Sequence, residues 1–114
     1  MDSDRDTPRI ETTDPSLALI VGRLVEAFHP EMVYLFGSHA RGEAGPDSDY
    51  DIAVILSNDA PARLSNTYAY RVLRGTGIAA DIIVWRRKYF EDRAHLRASL
   101  PGVIREEGRL LYAA

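Results

Sequence analysis

The sequence predicts a small α/β (or α+β) domain in which helices pack on a mixed β-sheet, and three observations carry that expectation. Apolar runs of strand length recur at Met32–Phe36, Tyr50–Leu56 and Ala80–Trp85, each bounded by turn-forming residues. Helical spacing fills the intervals: Leu17, Ile20, Val21, Leu24 and Phe28 precede the first run, and Leu64, Tyr68 and Val72 separate the second from the third. At 114 residues with 46% hydrophobic content the chain suits one compact core. Strand and helix therefore alternate, although strand direction is not encoded in these patterns.

Taken in order, residues 1–13 are polar and read as a flexible tail, with the folded domain spanning 14–114. Asp14-Pro15 supplies an N-cap followed by proline at the first helical position, and His29-Pro30 ends that helix. The strand Met32–Phe36 runs into Gly37, after which Ser38-His39-Ala40-Arg41 has helix-forming character closed by Gly42. Turn formers crowd Glu43–Ser48 before the second strand. Asn58-Asp59-Ala60-Pro61 reads as the opening of the next helix and Gly75-Thr76-Gly77 as its close. After the third strand, residues 87 to about 98 read as a helix, Leu100-Pro101-Gly102 as a break, and Val103–Glu107 as one more helical turn. Leu110-Leu111-Tyr112 fits a final short strand or a helix-end anchor.

Chemistry concentrates at Gly37-Ser38, the ten residues after it, and Asp49-Tyr50-Asp51. A strand-to-helix turn exposes unpaired backbone N–H groups and a partial positive charge, and a glycine there lets an anion approach the backbone. Ser38 adds a hydroxyl. Side chains two apart on a strand share a face, so Asp49 and Asp51 point the same way, next to the turn if the two strands pair. Asp81 is a lone charge near the start of an otherwise apolar strand, a placement that asks for a neutralising partner. Three carboxylates within about 4 Å would repel by about 4 kcal/mol per pair at an effective dielectric near 20. A hard divalent cation reverses that sign, and carboxylates with substrate phosphates are the usual ligands of Mg²⁺.

Gly37-Ser38, the ten-residue gap, Asp49-Tyr50-Asp51 and the later Asp81 resemble the nucleotidyltransferase superfamily related to DNA polymerase beta. The short form Gly-Ser-x-Ala-Arg-Gly followed by Ser-Asp-x-Asp, present at Gly37–Gly42 and Ser48–Asp51, is similar to that of its minimal, MNT-type members. The resemblance extends over roughly residues 15 to 112 and implies the nucleotidyltransferase fold, with the three acids on one face of a mixed sheet. It implies transfer of a nucleoside monophosphate, by default AMP from ATP, to a hydroxyl, with pyrophosphate leaving. On this reading Asp49, Asp51 and Asp81 are catalytic and hold Mg²⁺, two ions in all. Gly37 and Ser38 bind the triphosphate, with Arg41 and Ser48 as further contacts. The resemblance also implies an antitoxin role beside a HEPN-type ribonuclease toxin, whose tyrosine some minimal members adenylylate, and hence a hetero-oligomer. A non-catalytic antitoxin that acts by docking, and a small-molecule nucleotidyltransferase of the aminoglycoside type, are the other functions compatible with it.

Each residue also has an ordinary structural role to weigh: Gly37 as a turn, Ser38 and Ser48 as caps, Asp49 and Asp51 as a solvated strand start, Asp81 as a partner of Arg86 or Lys88. The basic stretch Arg86-Arg87-Lys88 with Arg93 and Arg97 suits a solvated helix face, and Tyr68, Tyr70 and Trp85 suit packing. His39 reads as an exposed helix or loop residue, because Mg²⁺ prefers oxygen ligands, and His95 has no assigned role. A net charge of −3 argues against nonspecific nucleic-acid binding. The lack of cysteine removes disulfide and thiolate sites, and no signal peptide or membrane-length apolar run is seen, so a cytoplasmic location with no membrane contact is expected.

Overall fold

The structure, a computed structural model, describes residues 9–114. Along these the chain forms α1 (Pro15–Phe28), β1 (Met32–Phe36), α2 (Gly37–Arg41), β2 (Tyr50–Leu56), α3 (Asn66–Val72), β3 (Ala80–Arg86), α4 (Arg87–Ala94), α5 (Leu100–Glu107) and β4 (Arg109–Ala113). The sheet has the order β3-β2-β1-β4. β1 pairs antiparallel with both β2 and β4, whereas β2 and β3 run parallel. The expected mixed sheet is thus present, with the directions now fixed.

β2 is interior to the sheet with helices on both faces, and Ile52–Leu56 is buried without interruption, whereas the rim strands β3 and β4 bury one residue each, Ile82 and Leu111. Its even-numbered side chains join α1 and α3 in one core, with Leu17, Ile20, Leu24 and Phe28 against Ile52, Val54 and Leu56. Its odd-numbered side chains Ala53 and Ile55 meet Phe90, Ala94 and Ile104 of α4 and α5 on the other face. Period two in the strand therefore sorts the residues into two layers of helix. α1 starts as its sequence predicts: the Asp14 carboxylate accepts from the N–H groups of Ser16 at 3.0 Å and Leu17 at 3.4 Å.

Several boundaries differ from the sequence expectation. α3 begins at Asn66, capped by Ser65, and not at Asn58–Pro61, where the chain makes successive turns. Asn58 does cap a helix, but a distant one: its Oδ1 accepts from the Lys88 N–H of α4 at 2.7 Å. α4 closes at Ala94, short of residue 98. α5 opens at Leu100, with Ser99 as N-cap and Pro101 in the first turn, where a missing N–H costs no hydrogen bond. Pro101 thus starts a helix where the sequence suggested a break. Residues 1–8 of the expected tail lie outside the described residues. Of the remainder, Ile10 packs on the core and the Glu11 N–H donates to the Leu111 carbonyl at 2.8 Å. Leu110-Leu111-Tyr112 belongs to a true strand.

Candidate active site

The turn and the carboxylates meet because β1 and β2 pair with Phe36 opposite Asp51. The residue after Phe36 is Gly37, held at φ 73°, and the position a Cβ would take there is filled by the carboxylate of Asp51. β2 and β3 then run in register with Asp51 beside Asp81, on strands about 4.8 Å apart. In a parallel pair, in-register side chains share a face, here the face of Ala53 and Ile55. Asp49, two residues before Asp51 and just outside the strand, completes the group.

Electrostatics records the crowding. Burial, then the charges of Asp81 and Asp49, push the Asp51 carboxyl above the usual carboxylate range. Among the described residues no basic side chain forms an ion pair with any of the three acids. The ordinary partners suggested for Asp81 are engaged elsewhere: Arg86 donates to the Ala60 carbonyl at 2.5 Å, and Lys88 pairs with Asp92 at 2.9 Å. Arg87 pairs with Glu31 at 2.7 Å, and the Arg93 guanidinium lies 3.8 Å from the centre of the Tyr89 ring, so this basic stretch is a solvated, internally paired surface.

The donor set is all carboxylate oxygen, the chemistry that suits a hard divalent ion. Among the described residues no three His, Cys, Asp or Glu side chains stand close enough to enclose an ion as they are. Asp49 and Asp81 are exposed, so their side-chain torsions can turn, while the β2–β3 register keeps the Cα of Asp81 beside Asp51. The residues fit the ion by ligand type and register, and closure falls to side-chain rotation.

Of the other predicted positions, Ser38 lies in the first turn of α2, whose start is capped by no side chain. Among the described residues the amides of that turn meet no side-chain acceptor. Arg41 pairs with exposed Glu43 at 2.9 Å and lies near enough to Asp51 to feel its charge. Ser48 turns inward on its own loop, its Oγ accepting from the Gly45 N–H at 2.9 Å.

Three residues that build this site had no site role in the sequence: Tyr50, Asp14, which reads there as a helix cap, and His39, expected exposed and here half-buried. Tyr50, between the two aspartates, points to the opposite face and donates through its hydroxyl to Asp14 Oδ2 at 2.6 Å. Its ring stacks on His39 at 4.2 Å between centroids, and His39 Nε2 lies 3.0 Å from the Ser48 carbonyl oxygen. A carbonyl can only accept, so Nε2 carries a proton. Alternation along β2 would have sent Tyr50 across the sheet; nothing in the sequence told it what it would meet. A half-open depression of about 370 Å³ on α3, lined by Arg63, Ser65, Thr67, Tyr68 and Arg71, shares no residue with this group.

With the fold and the acidic group in place, comparison with known proteins is decisive for the class. The nucleotidyltransferase domain model matches residues 17–111, and the chain belongs to that family. Among solved structures, a Sulfolobus solfataricus protein assigned as a nucleotidyltransferase is 26% identical, with a TM-score of 0.58 over 86% of this chain and 78% of that one. A mutant of the MntA–HpeT toxin–antitoxin complex shares the fold, with 19% identity and a TM-score of 0.56 over 89% of this chain and 75% of that one. A search of curated proteins gives no match. Among the described residues no helix is long and apolar enough to cross a membrane.

Proposed function

We propose that the protein transfers a nucleoside monophosphate, AMP from ATP, to a hydroxyl on a partner polypeptide, as an antitoxin that modifies a HEPN-type ribonuclease toxin. The observation that carries the catalytic part is the in-register placement of Asp51 beside Asp81, with Asp51 also against Gly37. Family membership supports nucleotidyl transfer. The toxin partner is supported by the short Gly-Ser-x-Ala-Arg-Gly motif and by a fold that also occurs in a toxin–antitoxin complex.

In this reading the first turn of α2 receives the terminal phosphates: its amides and the Ser38 hydroxyl donate to phosphate oxygens, and Gly37 keeps the approach clear. Asp49 and Asp51 would hold one Mg²⁺, and Asp51 and Asp81 a second. The bound ions supply charge neutralisation and a more acidic attacking hydroxyl. Asp81 orients the acceptor oxygen for in-line attack on the α-phosphorus. The new O–P bond forms as the bond from the α-phosphorus to the bridging oxygen breaks, and pyrophosphate leaves with that electron pair while the acceptor proton passes to Asp81 or to water. Arg41 can turn from exposed Glu43 to the departing phosphates. Asp81 is exposed, which suits an acceptor that arrives from solvent.

The test is the intact mass of the protein encoded by the adjoining gene, co-expressed with this chain, with and without Mg-ATP. A gain of one or more nucleotidyl units that disappears in Asp51→Asn supports transfer. Tight association with no mass gain would replace it by inhibition through docking.

A further inference from the structure

We infer that His39 is a positioning residue that ties the Gly37-Ser38 turn to the Asp49/Asp51 pair, through its bond to the Ser48 carbonyl and its stack on a Tyr50 ring anchored by Asp14. The inference rests on the metal-binding reading of Asp49 and Asp51 and goes beyond it by asking what holds Asp49 in place.

Asp49 needs such a device. It precedes β2, and the first sheet contact near it is the Tyr50 N–H to the Ala79 carbonyl at 3.2 Å. The loop before it, Glu43–Ser48, is largely exposed, and its internal bonds are the Ser48 N–H to the Gly45 carbonyl at 3.1 Å and the Gly45 N–H to Ser48 Oγ at 2.9 Å. The start of the loop is tied to α2 by the Glu43 N–H to the Ser38 carbonyl at 2.9 Å and by the Arg41–Glu43 pair, but those bonds leave the Ser48 end, next to Asp49, without an attachment of its own.

Attachment comes from His39. Both neighbours of Asp49 touch its ring: Ser48 through the 3.0 Å contact to Nε2, and Tyr50 through a stack inclined by 18°. Tyr50 is fixed in turn by Asp14, whose Oδ2 takes the phenol proton at 2.6 Å while Oδ1 caps α1. His39 follows Ser38 directly in α2, so any shift of the turn is passed to the peptide on each side of Asp49. A ring with a flat face and one in-plane donor makes both contacts at once, which aliphatic side chains cannot do. Residues that orient a metal ligand without touching the metal ordinarily change affinity by about 10-fold to 100-fold when removed.

Three substitutions isolate the contacts. His39→Phe keeps a ring for the stack and loses the Nε2 donor; Tyr50→Phe keeps the stack and loses the hydroxyl; Asp14→Ser keeps a helix cap but is too short to reach Tyr50. Calorimetric titration with Mn²⁺ in the absence of nucleotide is expected to show affinity weakened roughly tenfold in each. Amide hydrogen exchange over residues 43–49 in the metal-free protein is expected to quicken. His39→Gln, whose amide can still donate to Ser48, is expected to recover most of the affinity lost in His39→Phe. Tyr50→Phe combined with Asp14→Ser should be no weaker than either alone, since both remove one bond. Mn²⁺ affinity and loop exchange at wild-type levels in His39→Phe and Tyr50→Phe would overturn the positioning role. Asp51→Asn separates the two claims. If it abolishes Mn²⁺ binding while the His39 and Tyr50 variants do not weaken it, only the positioning role fails; if Mn²⁺ binding survives Asp51→Asn, the metal reading fails with it.

Discussion

Gly37 and Asp51 occupy each other's space: the Asp51 carboxylate lies where any side chain at position 37 would begin. Two separate constraints therefore select glycine, the collision and a φ of 73°. Gly37→Ala is expected to lower stability by about 1–3 kcal/mol and to depress transfer. In an Asp51→Ala background, where Cγ and both oxygens are gone, the cost should shrink to that of backbone strain. Urea denaturation of the four proteins in this cycle checks it, and a cost equal in both backgrounds would remove the collision from the account.

The carboxyl of Asp51 titrates high in the fold because burial and then Asp81 and Asp49 oppose its charge. A carboxylate raised by folding favours the folded state fully below its unfolded pKa of about 3.9, and that contribution is lost as pH rises through the folded value. At neutral pH the ionised group opposes folding. Asp51→Asn should thus raise Tm in EDTA at pH 7, with the gain fading in acid below about pH 4. Added Mg²⁺ should raise the Tm of the wild type and leave Asp51→Asn nearly unmoved, as scanning calorimetry would show.

Tyr50 and Asp14 give a second pH signature of opposite form. The Tyr50 phenol, bonded to Asp14, is pushed up to about 12, and the Asp14 carboxyl is held below its ordinary value by the same bond. Asp14 then contributes stability above its unfolded pKa, about 3.9, that disappears as pH falls through the lowered value. Tyr50 contributes below about pH 10, with loss as pH climbs toward its folded pKa. Tyr50→Phe should cost about 1–2 kcal/mol in this partly exposed setting. The difference from wild type should be flat from about pH 5 to 9 and narrow at both extremes, measurable by denaturant titration across pH.

Gly102 is required for a purely steric reason. A Cβ there would press on the backbone carbonyl of Leu96, which cannot swing aside as a side-chain tip would. Gly102→Ala should cost about 1–3 kcal/mol by chemical denaturation. It should leave Mn²⁺ affinity unchanged in the folded fraction, since the residue lies in the first turn of α5, against the α4–α5 connection and apart from the acidic group.

What the sequence made legible depended on how local the determining physics was. Asp14-Pro15 and the stripe from Leu17 to Phe28 announce α1 because cap and periodicity sit within the helix itself. The Gly37-Ser38 turn follows from glycine conformation, whereas Asp49 stands one residue before β2, so strand alternation does not fix its side. The placement of Asp81 beside Asp51 needed a parallel register that apolar runs do not encode. Asn58 misled for a related reason: its side chain serves α4, thirty positions along the chain, so its cap-like surroundings pointed to the wrong helix. Pro101 was misread because proline fits a first turn as well as it ends a last one. The Asp14–Tyr50–His39 contacts stayed hidden because they join three elements whose proximity only the fold creates.

β3 is a rim strand, and its outward N–H groups at Ile82 and Val84 donate to the Tyr70 hydroxyl at 3.1 Å and to Asn66 Oδ1 at 2.8 Å. With both amides spoken for, a visiting polypeptide finds no rail to zip onto alongside Asp81. Under the proposed transfer to a protein hydroxyl, the acceptor would descend from above the pleat, and recognition would rest on the contour of a folded visitor and little on the reading of a stretched peptide.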